Sequence, residues 1–257
     1  MKRVHILVFV LPLFLLLSCA PVSDTVTQVA TIDALLAGVY DGHMTCGDLL
    51  KHGDTGVGTF DKLDGEMVVL DGTVYQIPTS GAIRSVQADL KTPFACVSFF
   101  NPEIAIPVDS SVSFEGFEAL IDQAVPNQNL FCTIKATGHF TVMKTRSVPA
   151  QTKPYPPLAE ASQNQTIFEM EEVSGTVVGF RCPPFVKGIN VPGYHLHFLS
   201  DDHSKGGHIF GFQMKNGECQ IDLCNKFLLI LPEEADAFQQ ADLSKDRTQE
   251  LNQVEKD

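Results

Sequence analysis

The run GYHLHFLSDDHSKGGHIFGF, residues 193–212, decides how this chain is read. His195 and His197 alternate with Tyr194, Leu196 and Phe198. An extended strand therefore puts both imidazoles on one face and the apolar side chains on the other. The polar, glycine-containing residues 200–207 signal a turn, and Ile209, Phe210 and Phe212 resume a β-rich pattern. A turn centred between Asp202 and His203 sets His197 directly opposite His208, with His195 on the adjacent diagonal. Opposed Cβ atoms lie roughly 4.5–5.5 Å apart and diagonal ones about 7–8 Å, within reach of long side chains.

Three imidazoles can thus converge on one point, which is the pattern of a metal site. A half-exposed strand carries one histidine by chance far more easily than an H-x-H pair with a third at the matching hairpin position. His203 falls at the turn tip, in solvent. Three histidines without a thiolate suit Zn²⁺ with an open coordination position, as in catalytic zinc sites. Iron, cobalt, nickel and copper also accept three imidazoles, so the pattern identifies a metal more firmly than which metal.

Lys2 and Arg3 precede a mostly apolar run over residues 4–17, and Ser18, Cys19 and Ala20 follow. This is the layout of a secretory signal, too short for a spanning helix. Leu16-Leu17-Ser18-Cys19 also resembles a lipoprotein box. Residues 1–19 are therefore expected to be a lipoprotein-type signal, with Cys19 as a lipid anchor on an exported protein. The formal charge of −13 argues against nucleic acid or an anionic membrane as partner. It leaves room for an anionic small molecule in a locally positive pocket. Cys46, Cys96, Cys132, Cys182, Cys219 and Cys224 include no C-x-x-C pair, so no zinc ribbon is indicated. Cys96 and Cys132 read as free thiols in buried strands, and a Cys219–Cys224 disulfide is left open.

Residues 20–30 read as a polar linker. Residues 31–38 and 44–52 read as short helices, and residues 67–77 as a β-hairpin about the Asp71-Gly72 turn. Strands are expected over 95–99, 101–106 and 129–144, with an amphipathic helix over 114–124. Residues 148–158 carry Pro149, Pro154, Pro156 and Pro157 and read as the crossing between an N-terminal α/β part, 31–158, and a C-terminal β part, 159–231. Strands over 168–180, 194–199, 208–214, 218–223 and 228–231 follow, then a charged tail, 232–257, with helical character near its end. The class is α+β with strands dominating.

Glu66 follows the Asp64-Gly65 turn and opens an apolar strand, where a desolvated carboxylate could serve as general acid or base. Read alone, it is more often an exposed turn residue. Arg146 ends a strand and could clamp a carboxylate or simply tie down the crossing. Glu250 and Glu255 look like solvated helix charges. There is no G-x-S-x-G, phosphate loop or H-E-x-x-H. The residues alone describe a small-molecule metalloenzyme of open reaction class.

GYHLHFLSDDHSKGGH, GVGTFDKLDGEMVVLDGTVYQIPTSG and KTRSVPAQTKPYPPL together resemble the bacterial α-acetolactate decarboxylases, in order from about residue 39 to 231. The resemblance implies two packed mixed and antiparallel β-sheet parts with the metal site between them, and a homodimer. It also implies zinc on His195, His197 and His208, and active-site roles for Glu66 and Arg146. Thr59 would hydrogen-bond near Glu66, and a second glutamate would come from the tail, Glu255 with Glu250 as rival. The implied reaction converts (S)-2-acetolactate to (R)-acetoin and CO₂. Zn²⁺ would act as Lewis acid for the enediolate, Glu66 as proton donor, and Arg146 would orient the carboxylate or balance charge. Two other classes compete: a three-histidine oxygenase or isomerase of cupin type, and a non-catalytic metal-binding lipoprotein.

Overall fold

The computed structural model describes residues 24–256. The signal segment expected at 1–19, with Cys19, lies outside the described residues. Among these residues, no helix is long and apolar enough to cross a membrane.

Two sheets carry the fold. The first has seven strands in the order Lys226–Ile230, Thr25–Val29, Ala95–Ser98, Thr55–Thr59, Glu66–Leu70, Thr73–Ile77 and Arg84–Ser85. It is mixed: Thr25–Val29 runs parallel to Lys226–Ile230 and antiparallel to Ala95–Ser98. The second is antiparallel and has six strands. Val112–Ser113, Gly206–Cys224, Phe131–Ser147, Thr166–Cys182 and Gly193–Ser200 follow one another, and Ile104–Val108 also pairs with Gly206–Cys224. Gly193–Ser200 pairs in turn with the start of Gly206–Cys224, closing the four longest strands into a ring.

Strand alternation explains how the layers pack. Val57 and Val68 point from the first sheet towards Val178, Phe180 and Leu199 of the second, while Met67 and Val69 pack on the other side with Leu49 and Phe60. In the second sheet, Leu196 and Phe198 turn the opposite way from Leu199, joining Phe117 and Ile121 of the helix Phe114–Ala124. Ser113 caps that helix, its Oγ accepting the Gly116 N–H at 3.2 Å. Asp71 and Gly72 both have positive φ, 48° and 75°, as a type I′ hairpin turn requires.

The α+β reading holds, but several local expectations are corrected. Residues 25–29 are an inner strand of the first sheet rather than linker, because Val26 and Val29 are wholly buried. A division near residue 158 does not follow the sheets. Phe131–Ser147 belongs to the second sheet and Lys226–Ile230 to the first, so the proline-rich crossing joins two neighbouring strands of one sheet. Residues 208–223 form one strand, Gly206–Cys224, bent by register shifts against Phe131–Ser147 instead of interrupted. The second short helix is only Cys46–Leu49, and the strand expected over 101–106 shifts to Ile104–Val108. All six described cysteines are free and buried, Cys219 and Cys224 included. The tail is not wholly solvated: the helix Thr248–Lys256 buries Leu251 and Val254 against Ile32, Leu35, Leu158 and Ala161.

Candidate active site

Both sheets and the C-terminal helix contribute to one cavity. His195 and His197 share a face of Gly193–Ser200, and the hairpin pairs His197 with His208 as the spacing requires. The ring centroids lie 5.1–5.3 Å apart, and one ligand atom from each histidine lies within 4.8 Å of the others. All three are buried, at 8%, 1% and 2% exposure. Gly207 permits the close strand approach: a Cβ there would meet the Arg146 carbonyl oxygen at 2.4 Å. His203 is exposed at the turn, with its ring against that of Tyr75.

Burial lowers the pKa of each imidazole, with the Arg146 charge acting the same way, although the Glu255 carboxylate opposes the shift at His195. The rings are therefore held neutral, as metal ligation demands. His197 Nδ1–H donates to the Met67 carbonyl at 2.8 Å, which leaves Nε2 as the free lone pair. His197 Nε2 and His208 Nε2 are buried without a hydrogen-bond partner. Such atoms are costly to leave bare, and a metal ion satisfies them.

Glu66 heads its strand opposite Thr59 and on the same face as Val68, so it points to the second sheet. Its Oε2 lies 3.8 Å from His197 Nε2. Burial raises its pKa to about 7, opposed by the Arg146 guanidinium and the Val148 N–H and reinforced by Glu255. Thr59 does not bond that carboxylate; its Oγ donates at 2.7 Å to the carbonyl of Gly65, fixing the turn from which Glu66 departs. Arg146 is 4% exposed and lies between Ile167 and His208 in the ladder. Its guanidinium sits 5.5 Å from the Phe210 ring centre.

The tail supplies Glu255, whose Oε2 lies 3.8 Å from His208 Nε2 and 3.9 Å from His195 Nε2, buried and without a hydrogen-bond partner. Glu250 instead pairs with Arg247 at 2.9 Å, away from the histidines. Leu251, Val254 and Glu255 fall at i, i+3 and i+4, one face of the helix, so the residues that dock it also aim the carboxylate. Sequence reasoning missed Gln165, whose Oε1 accepts from Arg146 Nη1 at 3.1 Å, and Phe210 under the guanidinium. Neither has a motif of its own. Thr59, Leu63, Phe94 and Leu158 are among the residues that wall a cavity of about 30 Å³.

Comparisons with known proteins agree with these features. A family model, Alpha-acetolactate decarboxylase, matches residues 26–245. The alpha-acetolactate decarboxylase of Methanosarcina mazei is 47% identical over 234 residues, covering 91% of this chain and 81% of that protein. The one from Methylococcus capsulatus is 42% identical over 230 residues, covering 90% and 88%. The crystal structure of alpha-acetolactate decarboxylase from Bacillus subtilis strain 168 superposes with a TM-score of 0.89 at 37% identity, covering 91% of this chain and all of that one. With its motifs, fold and buried histidine cluster in agreement, this chain belongs to the alpha-acetolactate decarboxylase family.

Proposed function

We propose that this chain converts (S)-2-acetolactate to (R)-acetoin and CO₂, with Zn²⁺ held by His195, His197 and His208. One observation carries the reading: three neutral imidazoles, a buried arginine, the buried Glu66 and Glu255, its side chain 7% exposed, converge on a single cavity. The donor set fits a zinc ion, which when bound would supply a Lewis acid for the ketone and hydroxyl oxygens of the substrate.

The chain's own groups divide the remaining work. Arg146, a planar donor kept out of water, orients the substrate carboxylate and balances negative charge during its loss. Decarboxylation of a β-keto acid leaves an electron pair that needs a proton on the carbon that lost CO₂. Glu66, a buried carboxyl beside the histidine cluster, delivers that proton to one face, which sets the product's configuration. Glu255, beside His195 and His208, helps bind substrate or relay protons.

The test is acetoin formation from racemic 2-acetolactate by the purified chain lacking residues 1–19, as isolated, after chelation and after adding zinc back. Activity that vanishes with chelator and returns with zinc supports the reading. Bound metal without acetoin above the spontaneous background overturns it.

Assembly and location form two further parts of the reading. A homodimer is supported by the outer edge of Lys226–Ile230, unpaired among the described residues, with Leu228 on it and Leu231 just after it exposed. Export with lipidation at Cys19 is supported by the leader's composition alone. Light scattering tests the first, and membrane fractionation of Cys19→Ala tests the second.

A further inference from the structure

Among the described residues, Arg146 is held by a single hydrogen bond, from Nη1 to Gln165 Oε1 at 3.1 Å, while its Nε has no partner. The face of Phe210 supports the guanidinium from one side. Gln165 closes the short 3₁₀ turn Ser162–Asn164, its own N–H bonded to the Ser162 carbonyl at 3.0 Å, one residue before the strand Thr166–Cys182. That strand's Ile167 lies beside Arg146 in the ladder, so Gln165 reaches back from a fixed backbone.

The chemistry of this anchor is unusual for a buried arginine, which ordinarily meets a carboxylate. The buried Arg181 of this same chain does so, pairing with Asp122 at 3.0 Å. An amide oxygen fixes a guanidinium in place without cancelling its charge. We propose that Gln165 is a positioning residue that orients Arg146 while leaving its positive charge free for the substrate carboxylate. This rests on Arg146 receiving that carboxylate, as proposed above. In a chain of net charge −13, a neutral anchor here preserves a local cation at the point where an anion must bind.

Gln165→Glu tests the idea because it keeps the shape and adds the missing charge. The new carboxylate pairs with Arg146 and competes with substrate, so KM for 2-acetolactate rises on the order of 10–100-fold, the worth of a charged hydrogen bond. Metal content and Tm stay at parental values or Tm rises. The methyl ester of 2-acetolactate, which lacks the negative charge, inhibits parent and variant alike. Gln165→Leu, which keeps the bulk and loses the anchor, lowers kcat/KM with bound zinc intact. A purely structural role predicts instead that Gln165→Glu leaves KM alone, or lowers Tm and weakens ester and substrate together; either result overturns the proposal. Arg146→Ala separates the two readings. If it leaves KM unchanged, the carboxylate assignment itself fails. If it raises KM while Gln165→Glu does not, the role given to Gln165 fails alone.

Discussion

Leu251→Ala should detach the C-terminal helix without unfolding the body. A nine-residue helix is unstable by itself in water, so Thr248–Lys256 depends on docking. Its buried apolar anchors are Leu251, 7% exposed, and Val254, 1% exposed. Deleting most of the Leu251 side chain removes roughly 2 kcal/mol of docking free energy, which lowers the docked-to-free ratio about 30-fold. Glu255 shares that helix face, so it leaves the histidine cluster in the same event. Amide hydrogen exchange with peptide-level readout should show protection lost over residues 248–256 and kept over the hairpin 193–212, with Tm within a degree or two of the parent. Activity should fall to that of Glu255→Gln. A fall in Tm of more than about 4 °C with the helix still protected would refute the reasoning, since the helix would then belong to the cooperative core.

Three further outcomes are expected. His208→Ala should lose metal affinity by more than the 10–100-fold typical of an outer-shell change, whereas His203→Ala should keep metal and activity, as measured by bound-metal analysis. Glu66→Gln should retain metal but lower kcat by roughly 10²–10⁴-fold, the usual worth of a general acid; retention of full activity would remove Glu66 from the chemistry. Asp222 is buried, and desolvation raises its pKa to about 6 from an ordinary 3.8. The folded state therefore keeps this proton when the unfolded chain has released it, so stability from this group is full below about pH 4, is lost between about pH 4 and 6, and stays lost above. Asp222→Asn should accordingly stabilise by roughly 1–2 kcal/mol at pH 7 and by nothing at pH 4, read as the difference between two urea titrations.

The site was legible where chemistry and local geometry coincide. His195, His197 and His208 could be placed because strand alternation and a hairpin turn fix side-chain direction over a few residues. Glu66 and Arg146, read without the family, were equivocal: their burial depends on which sheet covers them, and that is a long-range property. The strand at residues 25–29 was misread because its short TVTQV pattern carries polar residues, yet both Thr27 and Gln28 are buried in a sheet whose neighbours are distant in sequence. Gln28 finds its partners at the Ala30 and Ile189 carbonyls, which no local pattern reveals. The tail's helical character was legible, but its docking was not, for a similar reason. Leu251 and Val254 are too few to mark an amphipathic helix until the surface awaiting them is known.

The turn between His197 and His208 touches none of the chemistry, and residues 201–205 are exposed. It still sets which residue faces His197, because every side chain beyond it changes face with a one-residue slip. Adding or removing one residue there would turn His208 towards the packed core and leave Gly207 or Ile209 opposite His197, unless the extra residue were absorbed as a bulge. The turn thus contributes no side chain to the site, yet its length constrains the site to changes in steps of two.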